Sequence, residues 1–190
     1  MKLNSFVSYC CLLLALVCSG CYRSFTISGK LDNKRWYGMG QGSVVNEEKI
    51  KNCSLPRFGF GATTDIPFDL TRAPKPTGCP KNCHAKQHLD FFVIPLAEGK
   101  YDLGNPDPCL PSLDTKARLF HFQTNPDGAH ILKGESVSVV DDFIAVGKSW
   151  IHITKYDSET GALKGKFELH LVNKQGKQLH FKKGRFKFKL

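Results

Sequence analysis

The sequence ends in the stretch WIHITKYDSETGALKGKFELHLVNKQGKQLHFKKGRFKFKL, residues 150–190, and this stretch decides the fold. It contains three runs in which apolar and polar residues alternate, separated by two short segments rich in turn-forming residues. Alternation with a period of two is typical of a β-strand with one buried face, and connections of hairpin length join antiparallel neighbours. The stretch therefore predicts a three-strand antiparallel meander, with strands at 150–156, 163–172 and 178–190 and turns at 157–161 and 173–176.

The same alternation assigns the two faces of the middle strand. Three apolar residues share one face and three polar residues share the other: Phe167, Leu169 and Leu171 against Lys166, Glu168 and His170. In the last strand Phe181 and Phe186 are an odd number of residues apart, so both reach the core only if the register changes between them. Gly184 is the predicted site of that β-bulge. His170 and His180 are expected to be neighbours on the polar face, as a solvated pair.

Shorter runs of the same pattern precede the meander. Asp32-Asn33 predicts a tight turn between a strand at 25–31 and one that begins near Arg35. Further strands are predicted at 58–62, 89–94, 119–122 and 136–140, and in the second of these Leu89, Phe91 and Val93 are expected to face inward and Phe92 and Ile94 outward. No run shows the 3.6-residue period of a helix. The sequence therefore predicts an all-β fold, an antiparallel barrel or a β-sandwich.

The composition agrees with one folded domain. The chain has 190 residues, of which 41% are hydrophobic, 11% aromatic and 23% charged. These fractions exclude a chain that is disordered throughout and a protein with many membrane spans. Two irregular segments, 65–88 and 104–112, are rich in proline and glycine. Loops of this length are usually held in place by disulfides or have a function of their own.

The first residues predict the cellular compartment. Lys2 is followed by an apolar run that ends at Val17, which is typical of a signal peptide and too short for a stable membrane span. Ser19, Gly20 and Cys21 then match a bacterial lipobox, in which the cysteine is lipidated and becomes the first mature residue. We therefore expect residues 1–20 to be a lipoprotein signal peptide and residues 21–190 to be a single all-β domain lipidated at Cys21. Ordinary secretion, with Cys21 left as a thiol, is the alternative.

The other cysteines of the mature chain predict disulfides. With Cys21 lipidated, four remain, and an oxidising compartment favours two bridges with no free thiol. Three pairings are open from sequence alone, among Cys53, Cys79, Cys83 and Cys109.

The irregular segment 65–88 also contains residue types that bind metal ions. Cys79 and Cys83 are followed directly by His84 and then by His88, and zinc is bound by thiolate and imidazole. An exported protein usually oxidises such thiols, and the spacing fits no common zinc module. We therefore expect disulfides there, with no metal and no cofactor.

The charge of the chain suggests a binding surface. The formal net charge is +10, and basic residues concentrate in the last strands. Such a stripe would attract anionic lipid headgroups, lipopolysaccharide or acidic glycans, through Lys182, Lys183, Arg185, Lys187 and Lys189. The alternative is a solvated face whose lysines protect a sheet edge from aggregation. Nucleic acid is not an expected partner in this compartment.

No sequence motif indicates catalysis. The chain has no phosphate-binding glycine loop, no G-x-S-x-G elbow and no H-E-x-x-H pair. Asp141-Asp142 is an adjacent pair, which strands would place on opposite faces, so it does not suggest general acid–base work. No catalytic residue is predicted.

Several segments together carry a family likeness. They are residues 29–36 shortly after the predicted lipidated cysteine, 99–104, 151–157 leading to 163–167, and 183–186. This pattern resembles a group of small envelope lipoproteins of Gram-negative bacteria whose function is unassigned. The resemblance implies a calycin-like all-β barrel or sandwich with no catalytic residues.

These observations predict a cell-envelope lipoprotein that acts as a non-catalytic binding or structural module. It would be anchored in the outer membrane, face the periplasm and hold a small hydrophobic ligand or a protein partner. One alternative is a metal-dependent envelope enzyme centred on Cys79, Cys83, His84 and His88. Another is a secreted, lipocalin-like carrier of small ligands.

Overall fold

The computed structural model describes residues 25–45, 53–64, 86–107, 109–110, 113, 115–123 and 138–190. These residues form nine β-strands and no helix. The strands are β1 (Phe25–Leu31), β2 (Lys34–Val44), β3 (Arg57–Thr63), β4 (Gln87–Pro95), β5 (Gly99–Asp102), β6 (Ala117–Gln123), β7 (Ser138–Asp157), β8 (Ala162–Asn173) and β9 (Gln178–Lys189). A helix long and apolar enough to cross a membrane is therefore absent from the described part of the chain.

The sheet closes into an eight-stranded antiparallel barrel. Its strands follow the order β7-β6-β4-β3-β2-β1-β9-β8, and the pairing of β7 with β8 completes the ring. The remaining strand, β5, pairs with the second half of β7, along the edge whose first half pairs with β6. The all-β prediction is confirmed, and of the two predicted architectures the structure is the barrel.

The predicted meander is confirmed, but its first strand is much longer than expected. Residues 138–140 of the run predicted at 136–140 and the whole run predicted at 150–156 belong to one strand, β7, of 20 residues, and residues 136–137 lie outside the described part of the chain. Its register with β8 shifts between Val146 and Trp150, where Gly147 has a φ of 57°. Ser149 occupies this irregularity: its hydroxyl donates to the Val146 carbonyl at 2.8 Å and accepts from the His170 amide at 2.9 Å. The side chain thus replaces ladder hydrogen bonds that the bend removes.

Aromatic rings fill the interior of the barrel. Phe60 stacks on Phe91 with 4.4 Å between centroids, and Phe91 meets Phe167 edge-on at 4.9 Å. Phe167 lies 4.9 Å from Phe181, which in turn contacts Trp36 at 5.3 Å. Such pairs add about 0.5–1.5 kcal/mol each beyond their buried area. This continuous column of rings is the centre of the hydrophobic core.

A bulge in β4 reverses the predicted faces of its second half. Phe60 pairs with Phe91 but Phe58 pairs with Ile94, so two residues of β4 lie opposite one residue of β3. Val93 has a φ of 53°, which is rare for a β-branched residue. As a result Ile94 is fully buried and Val93 is not. The prediction that Val93 faces inward and Ile94 outward was wrong, because a strict period of two does not allow for the extra residue.

A register change in β9 occurs where it was predicted, although the residue differs. Phe167 of β8 pairs with Gly184, and Leu169 pairs with Phe181, so Lys182 and Lys183 form the bulge. Lys183 carries the positive φ, 53°. Gly184 instead lies on the buried face, where an added Cβ would come within 2.5 Å of the Phe167 ring. The glycine is required by close approach of an aromatic ring and not by the bulge itself.

One disulfide joins two of the predicted cysteines. Cys53 is bonded to Cys109 across a separation of 56 residues, and it holds the segment between β5 and β6 against the start of β3. There Arg57 donates to the Asp107 carboxylate at 2.9 Å, in a pair that is almost fully buried. Cys79 and Cys83, the other two disulfide candidates, lie outside the described residues.

The two ends of the barrel differ in what they contain. The start of β1 and the end of β9 lie together at one end, since Thr26 pairs with Lys187; we call it the amino-terminal end. The other, the hairpin end, holds the β1–β2 and β8–β9 turns, which are joined by a hydrogen bond from the Asp32 amide to the His180 carbonyl at 3.0 Å. The predicted tight turn at Asp32-Asn33 is confirmed, with φ values of 46° and 66°.

Replacing Gly184 with alanine should destabilise the barrel by about 1–3 kcal/mol, because the new methyl group overlaps the buried Phe167 ring. Denaturant unfolding measures the change. The double variant Gly184→Ala/Phe167→Leu should lose less stability than the two single variants added together, since the smaller side chain leaves room for the methyl group. Strict additivity of the two losses would contradict this explanation.

Candidate functional site

Two rows of polar and cationic side chains cross the outer face of the barrel near its amino-terminal end. In the first row Lys155 of β7, Lys164 of β8, Lys187 of β9 and Thr26 of β1 are consecutive cross-strand partners. In the second row the partners are His152, Lys166, Arg185 and Ser28, in the same strand order. We call the four central cations, Lys164, Lys166, Arg185 and Lys187, the basic groove.

The sequence places these side chains outward through simple alternation. Leu163, Gly165 and Phe167 of β8 are buried, so Lys164 and Lys166 point to solvent. On β9 the buried Phe186 and Phe188 alternate with exposed basic residues in the same way. Because Lys164 faces Lys187 and Lys166 faces Arg185, like charges lie directly opposite each other on neighbouring strands.

The groove has a concave shape. One depression of about 550 Å³ lies between Lys155, Lys164, Lys187 and Lys189. A second, of about 350 Å³, adjoins it through Lys164 and Lys187 and is lined by further basic and hydroxyl side chains, namely Lys166, Arg185, Thr26, Ser28 and Thr154. Ammonium, guanidinium and hydroxyl groups together are suited to donating hydrogen bonds to an anionic oxygen.

No carboxylate of the described residues neutralises the groove. The salt bridges in that part of the chain involve other cations. Asp157, the last residue of β7, lies nearby and interacts electrostatically with Lys155, and its carboxylate accepts the amide hydrogens of Glu159 and Thr160. The hydrogen bonds from Thr160 lower the pKa of this carboxyl group. Cross-strand like charges destabilise a sheet, so the groove keeps an unfavourable arrangement that an anion would relieve.

Three of the predicted basic residues belong to this surface. Arg185 and Lys187 lie in the groove and Lys189 borders it. Lys182 and Lys183 precede them in β9 and form its bulge, nearer the hairpin end. The edge-protection part of the alternative was wrong, because β9 is paired on both sides, with β1 and β8. Its other part, a solvated face, agrees with the exposure of Lys187 and Lys189.

The sequence-based site omitted contributions from the neighbouring strands. The predicted set lacks Lys164 and Lys166 of β8, Lys155 of β7, and Thr26 and Ser28 of β1. The hairpin turn at 157–161 is a local signal that places Lys155 opposite Lys164. The pairing of β1 with β9 joins segments far apart in sequence, and no local pattern indicates it.

Of the residues in the predicted metal-binding segment, the structure describes only His88. Cys21, Cys79, Cys83 and His84 lie outside the described residues. His88 is described, and both of its ring nitrogens have partners: Nδ1 lies 2.6 Å from the Thr63 hydroxyl and Nε2 lies 2.8 Å from Asp90 Oδ1. A metal ligand role for His88 would require one of these bonds to break.

A second polar constellation lies at the hairpin end, around His121. The indole of Trp36 donates to Gln87 Oε1 at 2.7 Å, which directs the Gln87 amide NH₂ towards His121 Nε2 at 2.9 Å. Because the amide nitrogen can only donate, Nε2 of His121 must accept and the ring must be neutral. Burial lowers the pKa of His121, and the carboxylate of Asp141 opposes this only in part.

Comparisons with known proteins do not extend this description. No family model, no curated protein and no solved structure matches the chain. The fold class is therefore established by the structure itself, an all-β chain with a closed eight-stranded antiparallel barrel.

Mildly acidic conditions should destabilise the protein through His121. Its pKa is lower in the folded state than in the unfolded chain, where it is about 6.5, so the unfolded state takes up the proton first as the pH falls. Stability should therefore fall below about pH 6.5, by no more than about 1.4 kcal/mol per pH unit for this group. Denaturant unfolding at pH 7.5 and 5.5 measures the loss, which should be smaller in His121→Gln. An equal loss in the variant would assign the pH dependence to other groups.

Proposed function

We propose that this protein is a cell-envelope lipoprotein, a non-catalytic β-barrel that is anchored through Cys21 and contacts anionic lipid headgroups with its basic groove. One observation carries the proposal: four cations without carboxylate partners among the described residues lie beside the strand that follows the predicted anchor. Phosphate-bearing headgroups supply the negative charge that this surface lacks.

The position of β1 supports this proposal, since an anchor at Cys21 would lie at the same end of the molecule as the groove. Cys21 precedes Phe25 by four residues, so even a fully extended connection spans only about 14 Å. Thr26, the next residue of β1, is itself part of the groove wall. A lipid inserted at Cys21 would therefore hold the amino-terminal end of the barrel close to the headgroup layer.

The groove and the anchor would have separate roles at the membrane. Two or more acyl chains give stable membrane attachment without help from charge, whereas each Lys or Arg near an anionic surface contributes about 1 kcal/mol. We therefore assign attachment to the lipid and orientation to the groove. The amino-terminal end, with the basic groove on its side, would tilt towards the bilayer, and the hairpin end would face away from it.

The packing of the interior disfavours the carrier alternative. A lipocalin-like protein holds its ligand inside the barrel, but here Phe91, Phe167 and Phe181 occupy the centre and are almost completely buried. We therefore place the binding surface on the outside of the barrel.

The lipid anchor predicts a specific mass for the protein extracted from bacterial membranes. The chain should begin at an acylated Cys21, and four further cysteines should react with an alkylating reagent only after reduction. Intact mass spectrometry with and without reduction measures both properties. An unmodified chain that begins elsewhere would contradict the anchor, and free thiols at Cys79 and Cys83 would contradict a second disulfide.

The groove predicts salt-sensitive binding to anionic vesicles. The mature chain with Cys21→Ser, which cannot be acylated, should bind phosphatidylglycerol vesicles and not phosphatidylcholine vesicles in a sedimentation assay at low salt. Replacing Lys164, Lys166, Arg185 and Lys187 with glutamine should weaken this binding at least tenfold, because each cation contributes about 1 kcal/mol near the surface.

A charge-matched variant tests whether position matters. Lys34, Arg35, Lys148 and Lys174 are exposed residues outside the groove, and their replacement with glutamine removes the same three lysines and one arginine. This control should retain most of the vesicle binding. Equal losses in both variants would overturn the groove as a site, and binding to soluble dextran sulfate without binding to vesicles would favour an acidic glycan over lipid.

A further inference from the structure

Two histidines and a glutamate converge on the outer face of the β8–β9 hairpin. Glu168 and His170 are two residues apart on β8, which places them on the same face, and buried Leu169 between them points inward. His180 of β9 is the direct cross-strand partner of His170. One ligand atom from each of the three residues lies within 4.8 Å of the other two.

We propose that Glu168, His170 and His180 form a binding site for a divalent transition metal of the zinc class. Two imidazole nitrogens and one carboxylate oxygen are a common zinc ligand set that leaves a fourth position open. Mg²⁺ and Ca²⁺ prefer oxygen ligands, so the two histidines discriminate against them. This site does not depend on the proposed membrane contact, and its three ligands are not residues of the metal-binding segment predicted from the sequence.

The distances require little rearrangement. Ligand atoms about 2.0–2.1 Å from a tetrahedral metal lie about 3.3 Å from one another. The Nε2 atom of His180 and the Oε1 atom of Glu168 are already 2.6 Å apart, and the two imidazole rings have centroids 4.2 Å apart. Small side-chain rotations are enough to bring all three donor atoms to one metal ion.

The backbone beneath the site is firmly held. The amide of His170 donates to the Ser149 hydroxyl at 2.9 Å, and the amide of His180 donates to Asp32 Oδ1 at 2.8 Å. Glu168 lies opposite the β9 bulge, so two residues of β9 span the space across from it. Ligands on paired strands with such supporting contacts are positioned more precisely than ligands on loops.

The three side chains are also open to metal from solution. The side chains of His180 and Glu168 are 29% and 32% exposed. The hydrogen bond between His180 and Glu168 gives both side chains a partner without metal, and a bound metal ion would replace that bond. Among the described residues this is the one group of three such ligands that the structure brings within coordinating range.

Calorimetric titration of Zn²⁺ into the mature Cys21→Ser chain tests the site. All remaining thiols should first be oxidised or alkylated, which removes the cysteines as competing ligands. We expect one Zn²⁺ per chain, with binding at least tenfold weaker in His170→Ala, His180→Ala and Glu168→Gln. His152→Ala is the matched control, since His152 is an exposed histidine of β7 outside the cluster, and it should bind as the parent does.

A spectroscopic probe separates this site from the alternatives. Co²⁺ at a site with two nitrogen ligands and one oxygen ligand should give visible d–d bands without a thiolate charge-transfer band, and His170→Ala should abolish those bands. Circular dichroism and thermal unfolding check that each variant is folded. The proposal is overturned by the absence of stoichiometric binding, by equal weakening in His152→Ala, or by binding that survives His170→Ala and disappears on alkylation.

Discussion

Closure of the sheet through the β7–β8 pairing is the constraint on which the rest of this structure depends. A closed sheet has no unpaired edge, but each strand must bend while keeping one face towards a dense core. The alternation of side chains has a strict period of two, so bending is accommodated by extra residues. The bulges at Val93 and Lys183 and the irregularity filled by Ser149 are three of the places where the strands bend in this way. They determine which residues enter the core and which reach the surface.

Much of this fold could be predicted because its pattern is local. The meander, the first hairpin and the alternating faces of β8 follow from residues within a dozen positions of one another. Val93 and Ile94 were misplaced because a bulge depends on how two strands fit together across the sheet. The Cys53–Cys109 pairing was likewise open, since four cysteines allow three pairings and only the fold brings two of them together.

The candidate site was also predictable only where local sequence patterns determine the position of its residues. The basic character of β9 is visible in the sequence, and alternation is enough to place Arg185 and Lys187 outside. The contribution of β1 is not visible, because Thr26 joins the groove through a pairing across most of the chain. The proposed metal site was predictable only in part. The hairpin predicts that His170 and His180 are neighbours, but the position of Glu168 beside His180 depends on the bulge in β9.

Closure of the barrel removes one common reason for a row of lysines on a β-strand. Lysines on an exposed edge strand prevent aggregation, and that benefit would explain a row of positive charges without any ligand. In this barrel β9 is hydrogen-bonded to β1 and to β8, so its lysines protect no edge. They still face the cations of β8 directly, an arrangement that lowers stability. Edge protection therefore does not account for the basic residues of β9, and the like charges that face each other across β8 and β9 are an electrostatic cost of the folded state.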